Sequence, residues 1–166
     1  MVRMVVSGAA EDVNLADLGE MQHSIQRILL PTDGSEPAVR ATQYAVMIAK
    51  LLGASIKAIY VDTGQEDMEL PEETAADDVY ESVHPSAKGL IIAQRLSRAN
   101  GVECTIDIVR GGIAKRIVHT AEDEEAGMIV LGDTGRSGLK RIALGSVAEA
   151  VVKASVIPVL VIKAEH

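Results

Sequence analysis

Leu131-Gly132-Asp133-Thr134-Gly135-Arg136-Ser137-Gly138-Leu139-Lys140-Arg141-Ile142-Ala143-Leu144-Gly145-Ser146 is the stretch whose reading decides the fold. An apolar run, Gly127 to Leu131, leads into it and reads as a short buried strand. Val147 to Lys153 follows and reads as a short helix. Gly132, Gly135, Gly138 and Gly145 punctuate the stretch, and glycine permits close approach of another group to the backbone. Gly145-Ser146 falls where the last helix should start, and a helix start offers free N–H groups and partial positive charge to an anion. Arg136, Lys140 and Arg141 add positive charge to the same loop. Two readings follow: a cradle for phosphates, or a long loop that needs glycine in order to turn.

The rest of the chain supplies the frame. Arg27 to Thr32 reads as a first strand with a buried Ile28-Leu29-Leu30 run, followed by Pro31-Thr32-Asp33-Gly34-Ser35-Glu36-Pro37. Ser35 is the expected N-cap, with Pro37 in the first turn of a helix over Ala38 to Leu52 that Gly53 stops. Ala54 to Val61 is the second strand, and Pro85 to Asn100 the second helix. Val102, Cys104, Ile106 and Ile108 alternate with polar residues, the pattern of a half-exposed strand with Cys104 as a small core residue. Ile113 to Glu125 is helical, with Ile113, Ile117 and Ala121 at four-residue spacing. Val156 to Ile162 is the fifth strand. Strand and helix alternating in this way predict an α/β fold, a parallel sheet with helices on both faces. Ligands of such sheets sit beyond the carboxyl ends of the strands, where the strand order reverses. Asp33 and the glycine loop both follow strands. If those strands are neighbours, Asp33 accepts hydrogen bonds from a base or sugar while the loop holds phosphate; otherwise Asp33 is a turn or capping residue.

Composition narrows the function. The 166 residues suit one domain, and a formal net charge of −8 disfavours nucleic acid or anionic membrane as a partner. The single cysteine cannot form an internal disulfide, which fits a cytoplasmic location, and no apolar run reaches the length of a membrane helix. Residues 1–25 read as an N-terminal extension, expected to be partly disordered, and 26–166 as a single domain. Eight acids between Glu66 and Glu81 occur without Lys or Arg and read as a solvated run; no calcium-loop spacing is present. The four histidines share no ligand spacing.

The spacing Gly132, two residues, Gly135, nine residues, Gly145-Ser146 resembles the nucleotide-binding signature of the universal stress protein family. Ile28 to Ser35, Ala58 to Asp62 and Ile157 to Ile162 are similar to that family's first, second and last strands, so the resemblance runs from Gln26 to Lys163. It implies a three-layer sandwich around a five-stranded parallel sheet in the order 3-2-1-4-5, the adenine-nucleotide alpha-hydrolase-like arrangement. It implies ATP (or ADP or AMP) as ligand, with Asp33 at the adenine and Pro31, Thr32 and Val61 lining its pocket. Leu131 and Gly132 would pass near the adenosine, and Gly135, Arg136, Gly145, Ser146 and Val147 would meet ribose or phosphates. It also implies a nucleotide-dependent regulatory or stress-response module, homodimeric through Val156 to Ile162, an apolar strand that should lie at a sheet edge.

The alternative is a slow ATPase or an adenylate-chemistry enzyme of the same fold. The P-loop pattern GxxxxGK[ST] is absent, and so is the HxGH signature of related adenylating folds. Asp133 departs from a pure phosphate cradle. It can act as a base for water, call for Mg²⁺ or Mn²⁺ between itself and the phosphates, or face solvent. Between Leu131 and Val147 there is no Glu, Gln or His to orient a nucleophile, so bound nucleotide is expected to be held rather than turned over quickly.

Overall fold

The computed structural model describes residues 25–64, 87–134 and 144–163. Nine elements alternate along the described residues. They are β1 (Arg27–Pro31), α1 (Glu36–Leu52), β2 (Ser55–Asp62), α2 (Lys88–Ala99), β3 (Cys104–Arg110), α3 (Ile113–Asp123), β4 (Met128–Gly132), α4 (Ser146–Ala154) and β5 (Val159–Ile162). All five strands are parallel, in the order β3-β2-β1-β4-β5. The N-terminal extension and the acidic run fall in 1–24 and 65–86, outside the described residues.

Strand residues alternate between two cores because successive side chains point to opposite faces. Ile28, Leu30, Ile56, Ala58 and Val130 pack with Ala41, Ala45, Ala49, Leu90 and Ala93 of α1 and α2. Leu29, Ile59, Leu131 and Ile129 pack on the other face with Ile117, Ala121, Ala148 and Val151 of α3 and α4. The interior of the sheet is thus apolar on both sides, as a covered parallel sheet requires. The chain changes face after β3, and that change reverses the strand order between β1 and β4.

β3 is an edge strand whose Cys104, Ile106 and Ile108 pack on the first core. Asp107 instead meets Lys57 at 3.5 Å. Burial, the largest influence, pushes the Cys104 thiol above its ordinary range, against the lowering effect of Ser97 beside it. The cysteine is a half-buried packing residue, as the alternation predicts.

One local expectation holds in position but not in bonding, and one needs correction. Ser35 occupies the N-cap position in extended conformation but makes no side-chain capping bond. The polar side chain at this turn is Asp33, whose Oδ1 accepts the Ser35 N–H at 3.0 Å. The last strand is shorter than Val156 to Ile162. Ser155 Oγ bonds both the Ile157 N–H and the Ile157 carbonyl, at 3.0 and 2.9 Å, and forces a bend. Pro158 therefore precedes the strand, and its carbonyl accepts the Ile129 N–H at 2.9 Å. Gly53 ends α1 as predicted, left-handed at φ 66°, with its N–H on the Ala49 carbonyl.

α2 packs its first turn directly on the loop after β1. A Cβ on Gly89 would collide with Thr32 Oγ1 and lie 2.7 Å from the Gly34 nitrogen. Alanine normally stabilises a helix by about 1 kcal/mol over glycine. Gly89→Ala should reverse that sign and cost about 1–3 kcal/mol by overpacking. Urea denaturation checks this; a stabilised variant would show the contact to be slack.

Candidate functional site

The site lies where β1 and β4 part. Thr32 donates its N–H to the Ile59 carbonyl at 2.9 Å, so the even-numbered peptide groups of β1 face β2 and the odd-numbered ones face β4. The β1–β4 register runs only through Ile28↔Met128 and Leu29↔Ile129, while β1–β2 runs through Pro31↔Ile59. The next rung towards β4 would need an N–H on residue 31, and proline has none. Beyond that point the two strands enclose a cavity of roughly 560 Å³. That volume falls in the range of about 300–1,000 Å³ usual for small-molecule pockets.

Each wall comes from a strand end or a helix start. β1 and the turn after it contribute Pro31, Thr32 and Asp33; the end of β2 and the loop after it contribute Val61 and Thr63. β4 contributes Leu131, Gly132 and Asp133, and the start of α4 contributes Gly145, Ser146 and Val147. The fold therefore brings together all the sequence-predicted site residues that lie in the described chain. Gly135 and Arg136, with Lys140 and Arg141, fall in 135–143, outside the described residues. His119 is exposed, and among the described residues no group of three or more His, Cys, Asp or Glu could hold a metal ion.

Sequence reasoning missed Ile113, Ile117 and Leu144, which also line the cavity. The four-residue spacing groups Ile113 with Ile117 and Ala121 on one stripe of α3. Ile113 is 39% exposed, because the gap in the sheet lies beneath it. Leu144 is 37% exposed and was read only as part of the glycine loop.

Polar groups at the cavity are tied into the backbone. Asp133 donates its N–H to the Ile162 carbonyl at 2.9 Å and accepts the Gly145 N–H at 2.7 Å. Its Oδ1 accepts from Thr134 Oγ1 at 3.2 Å. α3 and α4 begin beside the cavity, at Ile113 and Ser146, and α1, which begins at Glu36, reaches it at Ala38 in its first turn; none has a side-chain capping bond. Their first-turn N–H groups, of which α1 has one fewer because Pro37 has none, lack a partner within the helix, and each start carries partial positive charge. Glu149, exposed in the first turn of α4, is held below the usual carboxylate range by Lys153 beside it.

Two signature glycines have a reason inside the chain. Gly145 has φ −61° and ψ 153°, a conformation any residue adopts. A Cβ there would lie 2.6 Å from the Asp133 carbonyl oxygen. A Cβ on Gly132 would lie 2.8 Å from the Pro37 carbonyl carbon. These glycines let α4 and α1 close on the end of β4.

The model of the Universal stress protein family matches residues 24–163. Universal stress protein MJ0531 of Methanocaldococcus jannaschii is 37% identical over 139 residues, covering 83% of this chain and 82% of its own. A solved structure of the protein MJ0577 superposes with a TM-score of 0.65 at 28% identity, over 86% of this chain and 99% of that one. A universal stress protein crystallised in complex with cAMP shares the fold, with a TM-score of 0.61 at 24% identity over 84% and 97% of the two chains. The chain belongs to the universal stress protein family.

The loop after β2 is held by one buried carboxylate. Asp62 Oδ1 accepts the Gly64 N–H at 2.8 Å, and Oδ2 meets Arg110 Nε at 3.1 Å. The Asp62 side chain is 5% exposed and that of Arg110 66%. Asp62→Ala should cost about 1–3 kcal/mol, because it strands a part-buried donor. Arg110→Ala should cost less than about 1 kcal/mol, because its charge is already in water. Paired denaturation curves check the asymmetry, and equal losses would contradict it.

Proposed function

We propose that this chain is a regulatory module that binds an adenine nucleotide, ATP foremost, in the cavity between β1 and β4. The observation that carries the reading is the convergence of three helix starts without side-chain caps on one partly apolar cavity at the switch point. The apolar walls, Val61, Ile113, Ile117, Leu131, Leu144 and Val147, suit a base and ribose. Asp33 and Thr32 offer polar groups to the base, and Gly145, Ser146 and the start of α4 suit phosphate. Gly135 and Arg136 complete the phosphate side in this reading. The cAMP complex of a protein with the same fold supports adenine as the base.

Asp133 puts a carboxylate beside the phosphates. We assign it to the neighbourhood of a Mg²⁺ or Mn²⁺ ion carried in with the nucleotide, since hard cations prefer carboxylate and phosphate oxygens. Among the described lining residues there is no His, Glu or Gln, which favours a nucleotide that is held rather than rapidly hydrolysed. We further propose that residues 26–166 act as one domain in the cytoplasm, without nucleic acid, as a homodimer joined antiparallel through β5. β5 is the terminal strand of the sheet, and Val156 just before it is 89% exposed.

Titration calorimetry with ATP, ADP and AMP tests the site. ATP should bind, and Gly145→Val should weaken it by at least ~10-fold, about 1.4 kcal/mol, by pushing the start of α4 off Asp133. Equal affinities in two folded proteins would remove the site. EDTA should weaken ATP binding in wild type and much less in Asp133→Ala; metal-independent binding would remove the cation. Turnover should stay far below about 1 s⁻¹. Faster hydrolysis, lost in Asp133→Ala, would make the protein an enzyme.

A further inference from the structure

A second cavity, of roughly 790 Å³, lies at the other end of the sheet, where β1, β2 and β3 begin. It is lined by the end of α1, with Leu51, Leu52 and Gly53, and by Gly101, Val102 and Glu103 ahead of β3. Ile25, which leads into β1 and packs on the first core, also lines it. The backbone at its floor is already paired. The Gln26 and Glu103 carbonyls accept the Ser55 and Ile56 N–H groups at 2.9 and 2.8 Å. Ser55 Oγ donates to the Gln26 carbonyl as well, at 3.3 Å. What is left open is apolar: Leu51 is 77% and Leu52 36% exposed among the described residues. A small-molecule site needs converging polar groups, and here the polar atoms of the floor are spent on the sheet.

We propose that residues 12–24 of this same chain cover this groove, laying Leu15, Leu18 and Met21 on Leu51 and Leu52. In sequence, Leu15, Leu18 and Met21 recur every third residue, one stripe of a helical period, and Asp12, Asp17 and Glu20 fall off that stripe. Apolar anchors at helical spacing are what an apolar groove takes up. Covering the two leucines removes apolar surface from water, the same effect that drives the core together. Position makes this segment the occupant. Residue 24 adjoins Ile25, which already lines the groove, so no linker separates the segment from its place. Leu18 stands seven residues before Ile25. That is about 10 Å along a helix and no more than about 25 Å along an extended chain, within reach of the end of α1. A segment tethered so closely is present at its groove at roughly millimolar effective concentration, above what a second copy or a separate partner reaches in dilute solution.

The test uses the full chain and a glutamate-specific protease, which cuts after Glu20, inside the covering segment. Wild type should be cut there slowly. Leu18→Ser/Met21→Ser and Leu51→Lys should each speed that cut at least ~10-fold, because cleavage follows the open population. Combining all three substitutions should add little more, since they break one contact. Leu18→Ser/Met21→Ser alters no described residue, so it still decides the matter should circular dichroism show that Leu51→Lys does not fold. Equal rates in wild type and the segment variant overturn the proposal and leave the groove to a separate partner. A folded Leu51→Lys cut as slowly as wild type overturns it as well, since the segment then lies elsewhere. Protection that grows with protein concentration overturns it in favour of a second copy. In a Cys104→Ser background, Leu18→Cys with Leu51→Cys should be bridged within one chain by a short bis-maleimide. A product of twice the chain mass, or no bridge, counts against the contact.

Discussion

Proline at position 31 removes a hydrogen-bond donor at the place where β1 would next bond β4. The preceding residues of β1 are Ile28, Leu29 and Leu30, all fully buried, so the strand begins as an ordinary central element. Its side towards β2 continues undisturbed to Ile59. The side towards β4 stops two residues earlier. A strand that is central on one side and finished on the other has to open the sheet, and the opening lies where the order of strands reverses. The cavity, the loops that line it and the three helix starts around it all follow from that placement. A reversal of strand order alone leaves a crevice above the sheet; the missing donor deepens it into the sheet.

Glycine supplies a second constraint, of contact rather than rotation. At Gly132, Gly145 and Gly89 the space a side chain would take is filled by Pro37, Asp133 and the Thr32–Gly34 turn. Each contact presses a helix start against the strand ends around the cavity. The walls are therefore set by backbone against backbone, which tolerates far less adjustment than side chains meeting side chains. A glycine signature that looks like a provision for ligand also builds the container.

The sheet was legible in the sequence because its strands are apolar runs bounded by glycine, proline and polar turns. Its order came from the resemblance, since alternation of strand and helix fixes parallelism but not which strands are neighbours. Helical period groups Ile113 with Ile117 and Ala121, yet only the latter two are buried, because a period records direction from the helix axis and not what lies below. Ser35 was assigned a capping role by residue type. Only coordinates show that the Asp33 carboxylate takes the Ser35 N–H and shapes the turn instead. The final strand was overextended because Val156, Ile157 and Pro158 are apolar and compatible with a strand, while the bend is imposed by one hydroxyl on Ser155. Clashes such as that of Gly145 with Asp133 join residues twelve apart and leave no trace in local pattern.

The peptide of Asp133 is bonded on both sides, its N–H to the Ile162 carbonyl at the end of β5 and its carbonyl to Gly145 at the head of α4. It is one short strut between the free edge of the sheet and the mouth of the cavity. A strut of this kind cannot yield towards one end without loading the other. Events at the edge and events at the cavity thus share a mechanical part, and any free energy passed between them is the same in both directions.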